Sequence, residues 1–98
     1  MRLEWSQAAL GQLNVIRRYI AGRNPAAAAK VQSRIVDASA LLAQRPFIGR
    51  LGRVSGTREF VFTDIPYIAV YEVDETRRQV TILRVFHTAR QYPPLDES

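Results

Sequence analysis

The sequence predicts an α+β domain of order β-α-α-β-β-β, with an N-terminal strand and a helical hairpin packed on a small antiparallel sheet. In the first half of the chain, apolar residues recur every three or four positions, which is typical of amphipathic helices. From Arg58 onward, the pattern changes to short β-type runs separated by turn residues. Helices that precede a run of strands favour helices on one face of a sheet. The 98 residues are expected to form one domain, residues 1–98, around a modest core.

The first strand and first helix are predicted by residues 1–22. Leu3 and Trp5 alternate with polar residues, which indicates a short strand with one buried face. Ser6 is suited to cap the N-terminus of the helix that follows. Gly22 is predicted to end this helix in the left-handed conformation. The apolar stripe of the helix comprises Ala9, Leu13, Ile16 and Ile20.

A second helix is predicted to begin immediately after a very short connector. Asn24 is a good N-cap, and Pro25 suits the first helical position because it has no N–H to leave unsatisfied. The four alanines that follow have the highest helix propensity. Arg45 and Pro46 are predicted to end the helix. Its apolar stripe comprises Val31, Ile35, Ala38 and Leu42.

The second half of the chain is predicted to be a loop and three strands. Residues 46–56 are rich in glycine and arginine and read as a basic loop. Strands are predicted at 58–63, 67–73 and 80–86, and the short turns between them favour an antiparallel meander. The run 67–73 is apolar on both faces, as expected of a central strand.

The formal net charge of +5 favours a polyanionic partner, either nucleic acid or an acidic protein. Thirteen of the 14 basic residues are arginine, whose guanidinium binds phosphate and carboxylate with two parallel hydrogen bonds. A coding bias toward arginine is the alternative explanation. The arginines predicted to bind an acidic partner or nucleic acid, rather than being merely solvated, are Arg45, Arg50, Arg53, Arg58 and Arg90.

Several classes of protein are disfavoured by the composition. The chain has no cysteine and one histidine, so we expect no disulfide, no metal site and no cofactor. It has no apolar run of 18 residues and no apolar signal core near Met1, so we expect a cytoplasmic protein without a membrane span.

His87 closes the last predicted strand and is the first candidate for chemistry. It could act as a general acid or base, or it could be a structural histidine at a strand end. Arg84 lies in the apolar run ILRVF, so it should face a partner carboxylate or open water. Glu59 and Glu72 are its candidate partners, and a structural ion pair is favoured over catalysis.

Three tyrosines could stack on bases or pack in the protein. Tyr67 and Tyr71 share one face of the predicted central strand, and core or rim packing is favoured for both. Tyr92 lies in the tail, where we expect it to be exposed.

The chain resembles the RelE/ParE superfamily of bacterial type II toxin–antitoxin toxins over nearly its whole length. The residues that carry the resemblance are LEWSQAALGQLNVIRRYIAGRNPAAAAKV, RPFIGRLGRV, GTREFVF, PYIAVYEV and VTILRVFHTARQYP, and their joint order is more specific than any one of them. The resemblance implies a cytoplasmic, growth-inhibiting toxin associated with plasmid stabilisation. It also implies a cognate antitoxin that wraps and neutralises the toxin in a hetero-oligomer. A basic toxin suits an acidic antitoxin.

The resemblance implies one of two activities. ParE toxins poison DNA gyrase, whereas RelE toxins cleave mRNA in the ribosomal A site without a metal. In a RelE-like protein, Arg58 and Arg84 would stabilise the transition-state charge, and His87 and Tyr92 would carry protons.

Departures from the RelE pattern favour a ParE-like toxin. The strand 58–63 ends in Phe62 and Thr63 rather than in arginine, and the loop 46–55 contains no glutamate to serve as a base. The long helical hairpin is also more similar to ParE. A third hypothesis is a toxin-like protein without activity that only binds its partner.

Overall fold

The computed structural model describes residues 1–89, which form two helices on a five-stranded sheet. The elements are β1 (Arg2–Trp5), α1 (Gln7–Ala21), α2 (Pro25–Gln44), β2 (Arg50–Leu51), β3 (Arg58–Val61), β4 (Tyr67–Asp74) and β5 (Gln79–His87). The strand order is β1-β5-β4-β3-β2. The predicted α+β class and order are confirmed.

Two details of the sheet go beyond the prediction. The meander β3–β4–β5 is antiparallel, but β1 runs parallel to β5, so the sheet as a whole is mixed. A parallel neighbour requires a long connection, and here the rest of the domain supplies it. The predicted loop 46–56 also contains a two-residue strand, β2, which pairs with β3 at the edge of the sheet.

The predicted helix caps are confirmed, whereas the predicted conformation of Gly22 is wrong. The Ser6 hydroxyl accepts from Ala9 N–H at 3.0 Å, and the Asn24 side chain accepts from Ala27 N–H at 3.1 Å. Gly22 has φ −62° and ψ −20°, which is right-handed helical backbone. The connector is so short that the chain stays near helical geometry through Gly22, and the break comes at Asn24, with φ −156°.

The main core lies between the helices and one face of the sheet. Most of the predicted stripe positions are buried, including Leu13 on α1 and Ile35 on α2. The core cluster also contains Ala9, Ala38, Leu42, Phe62, Tyr67, Ala69, Tyr71, Val80, Ile82 and Val85. Burying such side chains is the main favourable contribution to folding.

The opposite face of the sheet, here called the second face, is also partly covered. Side chains alternate along a strand, so Ile68 and Val70 point away from the helices, and both are buried. This agrees with the prediction of a central strand that is apolar on both faces. Glu59 and Arg84 lie opposite Val70 on the two neighbouring strands and therefore share the second face. In residues 1–89, no helix is both long and apolar enough to cross a membrane.

Tyr71 packs in the core, as favoured by the sequence, and its hydroxyl also holds the chain that leaves α2. The hydroxyl donates to the Pro46 carbonyl at 2.7 Å and accepts from Gly49 N–H at 2.9 Å. Burial raises the pKa of Tyr71, so the hydroxyl keeps its proton at neutral pH. A side chain at Gly49 would place its Cβ 2.9 Å from the Glu59 carbonyl oxygen, so only glycine fits there.

We expect Tyr71→Phe to lower the free energy of unfolding by about 1–3 kcal/mol, because it leaves the Gly49 N–H and the Pro46 carbonyl without their partner. Urea unfolding measures this difference. Tyr19→Phe is the matched control, since Tyr19 is largely exposed, and it should change stability by less than about 0.5 kcal/mol. Equal stability of the two variants would contradict the role of the Tyr71 hydroxyl.

Candidate functional site

The candidate site is the segment that connects α2 to β3, residues 45–57, here called the edge loop. It contains β2 and three of the predicted binding arginines, Arg45, Arg50 and Arg53. Arg45 caps the C-terminus of α2, where its backbone N–H donates to the Leu41 carbonyl at 2.8 Å, and it is exposed. The next predicted arginine, Arg58, begins β3.

A buried carboxylate on β3 binds two of these arginines. Glu59 is only 1% exposed. Its Oε1 accepts from Arg50 Nη2 at 2.8 Å and from Arg50 Nε at 3.2 Å. Its Oε2 accepts from the Arg53 backbone N–H at 3.0 Å, and Arg53 Nε lies 3.6 Å away. Both arginine side chains remain about half exposed to solvent.

The pKa of Glu59 reflects these contacts. Burial raises it, but the backbone N–H of Arg53 and the guanidiniums of Arg50 and Arg53 outweigh burial and hold the pKa below its ordinary value. Glu59 is therefore ionised at neutral pH. It neutralises part of the positive charge of the edge loop.

The sequence predicted Glu59 or Glu72 as the partner of Arg84. Glu59 forms ion pairs with Arg50 and Arg53. Glu72 is exposed on β4, and Arg84 is half-buried on β5. Arg53 also reaches over the ring of Phe86 at 5.7 Å, so the edge loop covers part of the second face.

Arg58 holds the edge loop from the other side. Its Nη1 donates to the Gly49 carbonyl at 2.8 Å and to the Phe47 carbonyl at 3.4 Å. Its guanidinium lies 5.0 Å from the centre of the Phe47 ring. Arg58 therefore stabilises the loop through contacts within the chain.

His87 is half-buried at the end of β5, and its ring is positioned by two neighbours. Its Nδ1 accepts from Ala89 N–H at 3.0 Å, and the ring packs edge-on against Tyr67 with centroids 5.3 Å apart. Since Nδ1 is an acceptor, the neutral imidazole carries its proton on Nε2.

Among residues 1–89, the structure does not bring together Arg58, Arg84 and His87, three of the four residues predicted for RNA cleavage. Arg58 pairs with Tyr71 and His87 pairs with Tyr67, so they lie four residues apart along β4, a separation of about 13 Å. They are also two strands apart, which adds about 10 Å across the sheet. Arg84 lies on the second face, away from both.

Arg90 and Tyr92 lie outside the described residues. Tyr67 and Tyr71 are buried, in agreement with the favoured prediction of core packing. Among residues 1–89, no group of three or more histidine, cysteine, aspartate or glutamate side chains could hold a metal ion.

Sequence reasoning missed the role of Glu59 as the anchor of the edge loop. The signal was available, because Glu59 is the only acidic residue between Arg45 and Val61, a stretch that contains four arginines. A single carboxylate on a strand beside a basic loop is better placed to pair with the arginines of that loop than with an arginine two strands away.

We expect Glu59→Gln to lower the free energy of unfolding by about 1.5–3 kcal/mol, because the amide cannot replace the charge-assisted hydrogen bonds of the carboxylate. Chemical denaturation at neutral pH measures the loss. Glu72→Gln is the control on the same face, and because Glu72 is exposed its effect should stay within about 0.5 kcal/mol. The assignment fails if the two variants are equally stable.

The dependence of the free energy of unfolding on pH in the acid range tests the role of Glu59 independently. The folded-state pKa of Glu59 lies below its ordinary value of 4.5, so its contribution is complete above that pH. The contribution is then lost as the pH falls through the lowered pKa. From about pH 5 to about pH 2, we therefore expect the wild type to lose more stability than Glu59→Gln. Asp64, whose pKa Arg34 lowers by a hydrogen bond, titrates in both proteins and cancels. Parallel pH profiles would contradict the prediction.

Comparisons with known proteins agree with the fold and with the resemblance. The family model described as "ParE toxin of type II toxin-antitoxin system, parDE" matches residues 3–92. The chain is 45% identical over 92 residues to "Putative toxin Y4kP" of Sinorhizobium fredii, covering 94% of this chain and 93% of that protein. It is 37% identical over 86 residues to "Toxin RelE2" of Caulobacter vibrioides, covering 88% and 93% of the two chains.

Solved structures with the same fold include both branches of the superfamily. The chain matches the chromosomal ParDE system of P. aeruginosa with a TM-score of 0.78 and 26% identity, over 89% of this chain and 95% of the other. It matches the RelBE2 complex of Mycobacterium tuberculosis with a TM-score of 0.66 and 21% identity, over 88% and 95% of the chains, which is a likeness of fold. The helical hairpin, the mixed sheet and the family match lead to one assignment: this chain belongs to the ParE toxin family of type II toxin–antitoxin systems, within the RelE/ParE superfamily.

Proposed function

We propose that this toxin inhibits DNA gyrase, as toxins of the ParE branch do, and that a cognate acidic antitoxin neutralises it. The observation that carries the proposal is the separation of Arg58, Arg84 and His87, the described residues that would have to converge for RNA cleavage. The match of the ParE family model to residues 3–92 supports the same branch.

The local chemistry of two of these residues supports the proposal as well. The Arg58 guanidinium is engaged with loop carbonyls and an aromatic ring, so it is not directed at a substrate phosphate. The Nδ1 of His87 accepts a backbone N–H, so this ring nitrogen is engaged within the chain. Each residue therefore has a structural role that explains its presence.

A protein antitoxin is the expected partner, because the similar solved structures include toxin–antitoxin complexes. We propose that it docks across the sheet and the helical hairpin, where Leu10, Val15 and Tyr19 expose apolar surface on α1. Its acidic groups would meet the exposed arginines of the edge loop. Toxin and antitoxin would then form a hetero-oligomer in the cytoplasm.

A ribosome-dependent endoribonuclease is the second candidate function. Its support is the 37% identity to a relative named "Toxin RelE2". Under this alternative, Arg58, Arg84, His87 and Tyr92 remain the proposed catalytic residues, and a rearrangement on the ribosome would have to bring them together.

Two assays on the purified toxin separate the candidates. We expect inhibition of gyrase supercoiling at micromolar toxin and no new cleavage sites in ribosome-bound mRNA by primer extension. His87→Ala should inhibit gyrase as the wild type does, since its ring is structural. Ribosome-dependent cleavage that His87→Ala abolishes, together with unimpaired supercoiling, would sink the gyrase proposal.

We also expect the affinity for the antitoxin to fall as salt is raised, because exposed charge pairs are screened over about 8 Å at physiological ionic strength. Titrations at low and high salt with Arg45→Ala should show a weaker salt dependence than the wild type. Arg2→Ala is the control, since Arg2 is an exposed arginine on β1 at the opposite edge of the sheet. An affinity that does not change with salt would contradict the electrostatic part of the proposal.

A further inference from the structure

The edge loop exposes a cluster of apolar side chains at the edge of the sheet. Leu51 on β2 is 78% exposed, and Phe47, Ile48 and Val54 are between 40% and 50% exposed. All four lie within eight consecutive residues. Isolated apolar side chains on a surface need no explanation, but a cluster in one short segment indicates an interaction site.

The backbone that carries these exposed side chains is fixed by buried and partly buried hydrogen bonds. The Tyr71 hydroxyl binds the backbone at both Pro46 and Gly49, Arg58 binds the Gly49 carbonyl, and Glu59 binds the Arg53 backbone. These contacts fix the loop on both sides of Ile48 and Leu51. A surface that is already ordered loses little conformational entropy on binding, which favours affinity.

The charge around the cluster limits what can bind. Arg45, Arg50 and Arg53 alternate with these apolar residues along the edge loop, residues 45–57 contain no acidic residue, and the nearby Glu59 is buried and paired with two of the arginines. A second copy of this chain would bring its own three arginines against these, which costs binding energy. A partner with carboxylates around an apolar pocket complements the surface.

The apolar side chains favour a protein over nucleic acid. Three of the four, Ile48, Leu51 and Val54, are aliphatic and cannot stack on bases. Interfaces with nucleic acid are more polar and more positively charged than this one, in which Glu59 offsets part of the arginine charge.

We propose that the edge loop is the surface through which the toxin engages its protein target, with Ile48 and Leu51 entering an apolar pocket bordered by carboxylates. This inference deepens the proposed function and rests on it for the identity of the target. The antitoxin would then neutralise the toxin by covering the same arginines, so antitoxin and target would compete for the edge loop.

The test uses the full chain with Ile48→Ser, Leu51→Ser and the double variant. Val36→Ser on α2 is the matched control, because Val36 and Ile48 are equally exposed, at 44%. Gyrase supercoiling and growth arrest in cells are measured for every variant, and thermal unfolding confirms that each one folds.

The double variant is expected to need a roughly tenfold higher concentration than the wild type for half-inhibition of gyrase, as when a hot-spot side chain is removed. Val36→Ser is expected to behave as the wild type. Antitoxin should relieve inhibition by the wild type in proportion to the complex formed.

The outcomes separate this inference from the proposed function. If the wild type inhibits gyrase and the double variant inhibits it equally, the edge loop is not the target surface. If the wild type arrests growth without inhibiting gyrase, the proposed target is wrong, and growth arrest by the double variant then decides the inference. If the double variant no longer arrests growth, the edge loop binds a protein target other than gyrase. If the double variant still arrests growth, the inference that the edge loop is the target surface is overturned. If the wild type neither arrests growth nor inhibits gyrase, both proposals fail.

Discussion

The ion pairs of Glu59 with Arg50 and Arg53 are the interaction on which the rest of the candidate site depends. A carboxylate buried on β3 is costly unless charged donors satisfy it, and here two guanidiniums and one backbone N–H do so. Since both arginines belong to the edge loop, satisfying Glu59 also fixes that loop against the sheet. Both arginine side chains also remain about half exposed to solvent. One interaction therefore supports the fold and presents positive charge to a partner.

The edge loop combines features that are usually separate in small domains. It is fixed by buried and partly buried polar contacts through Tyr71, Arg58 and Glu59, yet it carries the most exposed large apolar side chain described, Leu51. Stability alone would place such a side chain inward, because exposing it forfeits the hydrophobic gain of burial. The arrangement is understandable if binding a partner recovers that gain. A toxin has to engage both a target and an antitoxin, and one cationic, apolar surface can serve in both contacts.

Sequence reasoning predicted the parts of this protein that depend on local pattern. The stripes through Leu13 and Ile35 and the caps at Ser6 and Asn24 follow from helical spacing and backbone hydrogen bonding, and all four were predicted. The parallel placement of β1 depends on contacts with the distant strand β5, so local pattern did not contain it. Strand β2 pairs with the nearby β3, but its two residues are too few to show an alternating pattern. The partners of Glu59 were missed although they are near in sequence, because Glu59 was assigned to Arg84 on another strand rather than to the adjacent basic loop. The sequence left open whether His87 is catalytic or structural. The tautomer of its ring could be assigned only from the hydrogen bond that Nδ1 accepts from the Ala89 N–H.

Hydrogen exchange of individual backbone amides in wild type and Glu59→Gln tests most directly whether Glu59 holds the edge loop to the sheet. The account predicts that the amides of Arg53 and Gly52 exchange roughly tenfold faster or more in the variant, because the loop opens locally while the sheet stays folded. The amide of Val85 donates to the side chain of Gln12 on α1. Its protection from exchange should change only by as much as the global stability changes. Protection of Arg53 and Gly52 that is unchanged in the variant would contradict the account.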